Sequence, residues 1–329
     1  MKRPLAGRLV NPVGLGCMGL SWGYGPAVPD DQAVALLHRA LDLGYDHFDT
    51  AALYGAGHNE TLLARAIGEN RDKLLIASKV GLTAVRGGGS RGIDGRPATV
   101  KAGCEDSLKR LGIDHIDLFY LHRLDPQIPI EESMGAMADL VAEGKIGAIG
   151  LSEMSAATLR RAAAVHPVAA MQSEYSPFSR NVEIAVLDTC RELGTAFVAF
   201  SPLSRGVLGG ALRDPSALDT GDVRRYMPRF AEPHWSANLA LAERFAELAH
   251  DEEVSPAQLC LSWVLSRGEH ILAIPGTRSR RHLVENIARA DWRLSGETAR
   301  RIDALINQHT VSGARYPAQT RAQIDTEDF

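Results

Sequence analysis

Eight short apolar runs recur along this chain, and helical patterning lies between them over nearly its whole length. The runs are Val13–Gly19, Asp46–Thr50, Leu74–Lys79, Ile116–His122, Gly147–Ser152, Ala169–Ser173, Ala196–Ser201 and Ile271–Pro275. Several are apolar without strict alternation, the pattern of strands in a parallel sheet covered on both faces. Between them apolar residues return at helical spacing, as at Val34, Leu37 and Leu41, at Val100, Cys104, Leu108 and Leu111, at Met134, Met137 and Val141, at Val186, Cys190 and Leu193, and at Ile302, Leu305 and Ile306. Asp30 or Asp31 is placed to cap the first of these helices. Eight strand–helix repeats predict an α/β fold of the (β/α)8 TIM barrel type, with a doubly wound open sheet as the alternative. Such barrels take about 250 residues, so a chain of 329 has length left for an N-terminal cap and long active-site loops. No linker or repeat divides the sequence, which reads as one barrel domain over residues 1–329 with 307–329 as a C-terminal tail.

Composition excludes several classes. A hydrophobic content of 45% with 23% charged residues rules out a disordered or collagen-like chain. The 36 basic and 40 acidic residues leave a net charge of −4, which argues against a dedicated nucleic-acid binder. No run approaches the roughly 20 apolar residues of a membrane-spanning helix, and the basic N-terminus lacks the apolar core of a secretion signal. Cys17, Cys104, Cys190 and Cys260 lie far apart with no Cys-x-x-Cys pair, so the expectation is reduced core thiols in a cytoplasmic protein rather than a zinc site or a disulfide scaffold.

Two segments account for the spare length. Gly81–Pro97 holds Gly87-Gly88-Gly89-Ser90-Arg91-Gly92 and predicts a mobile loop; Pro202–His234 is longer and carries Tyr226, Met227 and Phe230. Both follow strands, and in barrels such loops build the active-site face. Gly14-Leu15-Gly16-Cys17-Met18-Gly19 matches the dinucleotide fingerprint, but that motif needs a strand before it and a helix opening inside it. Here Leu15, Cys17 and Met18 read as the strand itself, and the glycines as small residues of a barrel strand.

Ionisable side chains gather where strands end. Asp49 closes one run, with Tyr54 in the loop after it; Lys79 closes the next, and His122 the one after that. The C-terminal ends of barrel strands converge on one face, so these four side chains could share a pocket. Only one histidine falls at a strand end, too few for a metal-dependent hydrolase with several converging ligands, and no metal is expected.

At these residues the sequence resembles the aldo-keto reductases. Phe48-Asp49-Thr50-Ala51-Ala52-Leu53-Tyr54-Gly55, followed by Asn59-Glu60, is similar to the family signature; Leu118-Phe119-Tyr120-Leu121-His122, Gly150-Leu151-Ser152, Ser201-Pro202-Leu203, and Ile274-Pro275-Gly276-Thr277 with Glu285-Asn286 match further segments in order. The details look closest to bacterial and plant members labelled auxin-induced-like or perakine-reductase-like. The resemblance implies NADPH-dependent reduction of an aldehyde or ketone to an alcohol. Tyr54 would be the general acid, Lys79 the cation that lowers its pKa from the usual value of about 10, Asp49 the partner that holds Lys79, and His122 the group that orients the substrate oxygen. Ser152 and Gln172 match positions that bind the nicotinamide carboxamide, and Phe200 falls where many members stack a tyrosine on the ring. Glu153 replaces the asparagine common beside the serine. Ser201, Leu203 and Arg205 would follow the pyrophosphate; Gly276, Thr277, Arg278 and Arg281 would open a helix onto a 2′-phosphate; Glu285 and Asn286 match adenine contacts. Trp22, Tyr24, Met227, Phe230 and Trp235 are either candidate walls for a small-molecule carbonyl substrate, favouring an apolar or aromatic aldehyde, or packing for the barrel mouth. A second reading keeps the fold and the NADPH but makes the protein a regulatory subunit resembling potassium-channel β-subunits.

Overall fold

The computed structural model describes residues 1–83, 92–210 and 212–329. Eight parallel strands form its centre: β1 (Leu15–Gly16), β2 (His47–Asp49), β3 (Leu75–Val80), β4 (Leu118–Leu121), β5 (Ile149–Ser152), β6 (Val168–Glu174), β7 (Ala196–Phe200) and β8 (Ile271–Ile274). Each pairs with its neighbour in chain order. The sheet closes on itself through parallel bridges from Val13 to Ala273 and from Gly16 to Gly276, with the Gly14 amide donating to the Ala273 carbonyl at 2.9 Å. This is the TIM barrel, and each of the eight apolar runs supplied one strand.

Side-chain size explains the closure. At the seam a Cβ on Gly16 would stand 2.8 Å from the Ile274 carbonyl oxygen, so only glycine lets the first and last strands meet. Inside the barrel a Cβ on Gly150 would stand 2.3 Å from the Tyr120 ring, and the missing side chain makes room for that fully buried aromatic. Ala77, Leu118, Tyr120, Ala170, Val198 and Leu272 fill the interior. An antiparallel hairpin (Arg3–Leu5 with Arg8–Val10) adds Leu5 and Val10 to this cluster and forms the N-terminal cap.

Helices cover the outside, and local chemistry starts and stops them. Ser155 caps Ala156–Val165 by accepting from the Thr158 amide, and Ser255 with Gln258 forms a capping box ahead of Pro256–Ser266. Helices 97–111 and 186–193 end in left-handed glycines at Gly112 and Gly194. Two details differ from the sequence reading. Asp30 and Asp31 lie inside the helix Asp30–Asp42, after Pro29, and their carboxylates bind Arg65 instead of capping. β1 stops at Gly16, and Met18–Ser21 forms one helical turn rather than strand.

Of the two long loops, Gly87–Arg91 lies outside the described residues. The described part of the second loop forms short 3-10 turns at Ser204–Gly206, Pro215–Ala217, Val223–Tyr226 and Pro228–Phe230, and the Val223 amide donates to the Gly23 carbonyl at 2.9 Å, joining this loop to the one after β1. The tail beyond residue 307 contains a short helix, Ala318–Arg321, and packs on the barrel: Asp325 accepts from the Ser155 and Thr158 hydroxyls at 2.8 and 2.6 Å. All four cysteines are buried and free. Among the described residues no helix is long and apolar enough to cross a membrane, and no cluster of His, Cys, Asp or Glu could hold a metal.

Candidate active site

β2, β3 and β4 deliver three of the four side chains to one place. Asp49 ends β2, Lys79 lies one residue before the end of β3, and His122 follows β4 directly. Tyr54 comes from the turn after β2, which is pinned by Asn59: its side chain accepts from the Thr50 hydroxyl at 2.6 Å and donates to the Cys17 carbonyl at 2.9 Å. The fully buried Lys79 ammonium pairs with the Asp49 carboxylate, donates to the Thr50 carbonyl at 2.9 Å and lies 3.2 Å from the Tyr54 hydroxyl. The other Asp49 oxygen accepts from the Gln172 side chain at 2.7 Å. Tyr54 and His122 meet edge to face, their ring centres 6.1 Å apart.

Burial is costly for these charges, and their mutual contacts set the outcome. Desolvation alone would depress the Lys79 pKa, but Asp49 and Tyr54 outweigh it and hold the ammonium above its ordinary value. For Tyr54 desolvation wins: its hydroxyl is held above the ordinary tyrosine value, with Lys79 pulling against that shift. Lys79 does lower the value, as its charge requires, but burial outweighs it. The resting group is a protonated phenol with a fixed cation beside it.

Three of the four, Asp49, Tyr54 and His122, line a cavity of about 550 Å³, together with Gly276, Thr277, Arg278, Glu285 and Asn286, and Lys79 lies behind them against Tyr54. The fold thus places this charged cluster beside a cavity at the strand ends.

Comparison with known proteins gives the family. The model of the Aldo/keto reductase family matches residues 12–307. The chain is 40% identical to an aldo-keto reductase [NADP(+)] of Schizosaccharomyces pombe, over 98% of this chain and 96% of that protein. The chain belongs to the aldo/keto reductase family. Among solved structures, a glycerol dehydrogenase of Gluconobacter oxydans superposes with a TM-score of 0.85 at 30% identity, covering 95% of this chain and 97% of that one. An aldo/keto reductase of Klebsiella pneumoniae in complex with NADP and acetate superposes with a TM-score of 0.73 at 29% identity, covering 96% and 98%.

Of the residues this aldo/keto reductase was expected to turn toward a cofactor, Ser152, Gln172, Phe200, Ser201, Leu203, Arg205, Gly276, Thr277, Arg278, Glu285 and Asn286 all line the cavity. Arg281 does not; it is exposed, with its guanidinium beside His282. Two of the lining arginines are engaged elsewhere. Arg205 pairs with Glu174 at 2.6 Å and donates to the Tyr316 hydroxyl at 2.9 Å. Arg278 donates to the Gly19 carbonyl at 2.9 Å and to the Tyr24 carbonyl, reaching across the cavity to the loop after β1. Asn286 is buried, and its side-chain oxygen has no hydrogen-bond partner among the described residues. A buried acceptor left open beside a cavity calls for a ligand donor.

The substrate-wall residues divide. Trp22, Tyr24 and Met227 line the cavity. Phe230 and Trp235 do not: their rings stack 5.9 Å apart within the main core, the packing role rather than the substrate-wall role. Other lining residues escaped the sequence reading. Arg123, next to His122, donates to the Ser152 hydroxyl at 3.3 Å, and its place directly after a strand-end histidine was the available signal. Tyr316 comes from the tail, where nothing local marks it. Glu153 has a left-handed backbone (φ +55°) and sends its carboxylate away from the cavity into a buried pair with Arg315.

Proposed function

We propose that this protein reduces an aldehyde or ketone to the corresponding alcohol with NADPH. The observation that carries the reading is the Lys79 ammonium 3.2 Å from the Tyr54 hydroxyl and paired with Asp49, with Tyr54 and His122 lining the cavity.

The cofactor, when bound, supplies the hydride to the carbonyl carbon. Tyr54 gives its proton to the carbonyl oxygen as that oxygen becomes an alkoxide, and Lys79 stabilises the phenolate left behind; a proton from solvent restores the phenol. Asp49 keeps Lys79 charged and in place, with Gln172 holding the second carboxylate oxygen. His122 orients the carbonyl oxygen toward Tyr54. General acid catalysis of this kind contributes about 10²–10⁴ in rate.

The residues suit a dinucleotide. The open Asn286 oxygen matches the amino group of an adenine, with Glu285 beside it. Ser152 and Gln172 would be polar partners for the carboxamide, and Phe200 would offer an aromatic face to the nicotinamide ring. Ser201, Leu203 and Arg205 follow the pyrophosphate, Arg205 while paired with Glu174. For the 2′-phosphate we assign Gly276, Thr277 and Arg278, with Arg281 nearby, ahead of the helix Arg280–Ala288; Arg278 leaves the Gly19 and Tyr24 carbonyls to reach it. Trp22, Tyr24 and Met227 favour an apolar or aromatic body on the substrate.

The test is NADPH consumption by the purified protein with aromatic, aliphatic and sugar-derived aldehydes, wild type beside Tyr54→Phe and NADH in parallel. Turnover lost in the variant supports the reading. Tight NADPH binding with no turnover on any carbonyl overturns it in favour of a cofactor-binding regulatory subunit.

A further inference from the structure

A second cavity, of about 680 Å³, lies beneath the C-terminal tail. Arg315 lines it while the next residue, Tyr316, lines the first cavity, so one stretch of tail walls both. Its size falls in the usual range of small-ligand sites, about 300–1,000 Å³.

Four arginines line this space, and three are neutralised. Arg180 pairs with Glu183 at 2.7 Å and Asp303 at 3.1 Å, Arg315 with Glu153 at 2.8 Å, and Arg321 with Asp328. Arg229 is different. Its Nε donates to the Gly313 carbonyl at 3.1 Å and its Nη1 to the Ser179 hydroxyl at 2.8 Å, and no carboxylate among the described residues lies within 4.0 Å of it. The nearby acids are already engaged: Glu174 by Arg205 and Ser179, Asp328 by Arg321 and Asn181. Burial pushes the Arg229 pKa down to about 10, with Glu174 and Asp328 opposing that shift and Arg315 and Arg205 adding to it, so the group is still charged at neutral pH.

Among the described residues Arg229 is thus the lining arginine without a paired carboxylate: Glu174 and Asp328 act on it only at longer range, each already bound to another arginine, and a carboxylate ligand would supply the missing direct partner. Phe178, Val311 and Ile324 supply apolar wall beside it. We propose that this cavity binds a small organic monocarboxylate, its carboxylate on the Arg229 guanidinium and its apolar body against Phe178, Val311 and Ile324. The planar fork of arginine matches a carboxylate. A phosphate dianion would bring a second charge with no free counterpart.

Benzoate is the probe, titrated calorimetrically into the full-length protein saturated with NADPH, with benzamide and inorganic phosphate as controls. Wild type should bind benzoate at least about tenfold more tightly than benzamide or phosphate; Arg229→Gln should lose at least about tenfold, and Tyr54→Phe should stay within about twofold. Absence of benzoate binding in wild type overturns the proposal. So does tighter binding of phosphate, or benzoate affinity that survives Arg229→Gln and falls in Tyr54→Phe, which would put the carboxylate in the first cavity. If Arg229→Gln fails to fold, a crystal structure of wild type with NADPH and benzoate decides: density on Arg229 supports the site, and density only beside Tyr54 overturns it.

Discussion

Glu153 and Arg315 lie 162 residues apart in the chain yet form a buried two-point ion pair, with Arg315 Nη1 2.8 Å from one carboxylate oxygen and Nη2 2.8 Å from the other. The pair fastens the tail to the residue after Ser152, and so holds Tyr316 at the cavity wall. Glu153→Gln leaves the Arg315 charge without its partner in the interior, which commonly costs about 3–5 kcal/mol. Denaturant unfolding should show that loss, and Glu153→Gln with Arg315→Gln should recover part of it. A single-variant loss below about 1 kcal/mol, the range of exposed pairs, would mean that the pair does not anchor the tail.

Removing the Tyr54 hydroxyl should separate chemistry from binding. Tyr54→Phe is expected to lower kcat by about 10²–10⁴ while leaving the NADPH Kd nearly unchanged, measured by steady-state rates and fluorescence titration. Normal turnover in the variant would assign the proton to another group.

The pH profile follows from the direction of the Tyr54 shift. Burial holds its pKa above the ordinary tyrosine value, and the protonated form is the active acid in reduction. Reductive kcat/KM should therefore hold through neutral and mildly alkaline pH and fall only as pH rises through that elevated pKa. Loss of activity between about pH 7 and 9, below the usual tyrosine pKa, would contradict the assignment.

Arg278 separates two roles by cofactor preference. If its guanidinium serves the 2′-phosphate, Arg278→Ala should raise the NADPH Kd at least about tenfold more than the NADH Kd, one charged contact being worth about 1.5–3 kcal/mol. Equal weakening of both cofactors would assign Arg278 instead to holding the Gly19 and Tyr24 carbonyls.

How much was legible beforehand depends on the range of the interaction. Leu75–Val80 reads as a strand because its run is apolar throughout, and it is buried throughout. Met18 reads as strand because it is apolar beside Leu15 and Cys17, but the chain leaves the seam at Gly16 and turns into one helical turn. Phe230 and Trp235 were candidate substrate walls because exposed loops that carry aromatics often bind ligands; their mutual stacking is invisible in sequence.

The sequence by itself determined the barrel, the strand order and the meeting of Asp49, Tyr54, Lys79 and His122. These depend on local periodicity and on a topology in which successive strands are neighbours, so residues at successive strand ends must converge. Tertiary structure alone decided where the long charged side chains went: Arg205 to Glu174, Arg278 to the loop after β1, Arg315 to Glu153, and Arg229 to no carboxylate among the described residues. An arginine takes whichever acceptor the folded chain brings within reach, and those acceptors come from segments far away in sequence whose approach no local pattern records.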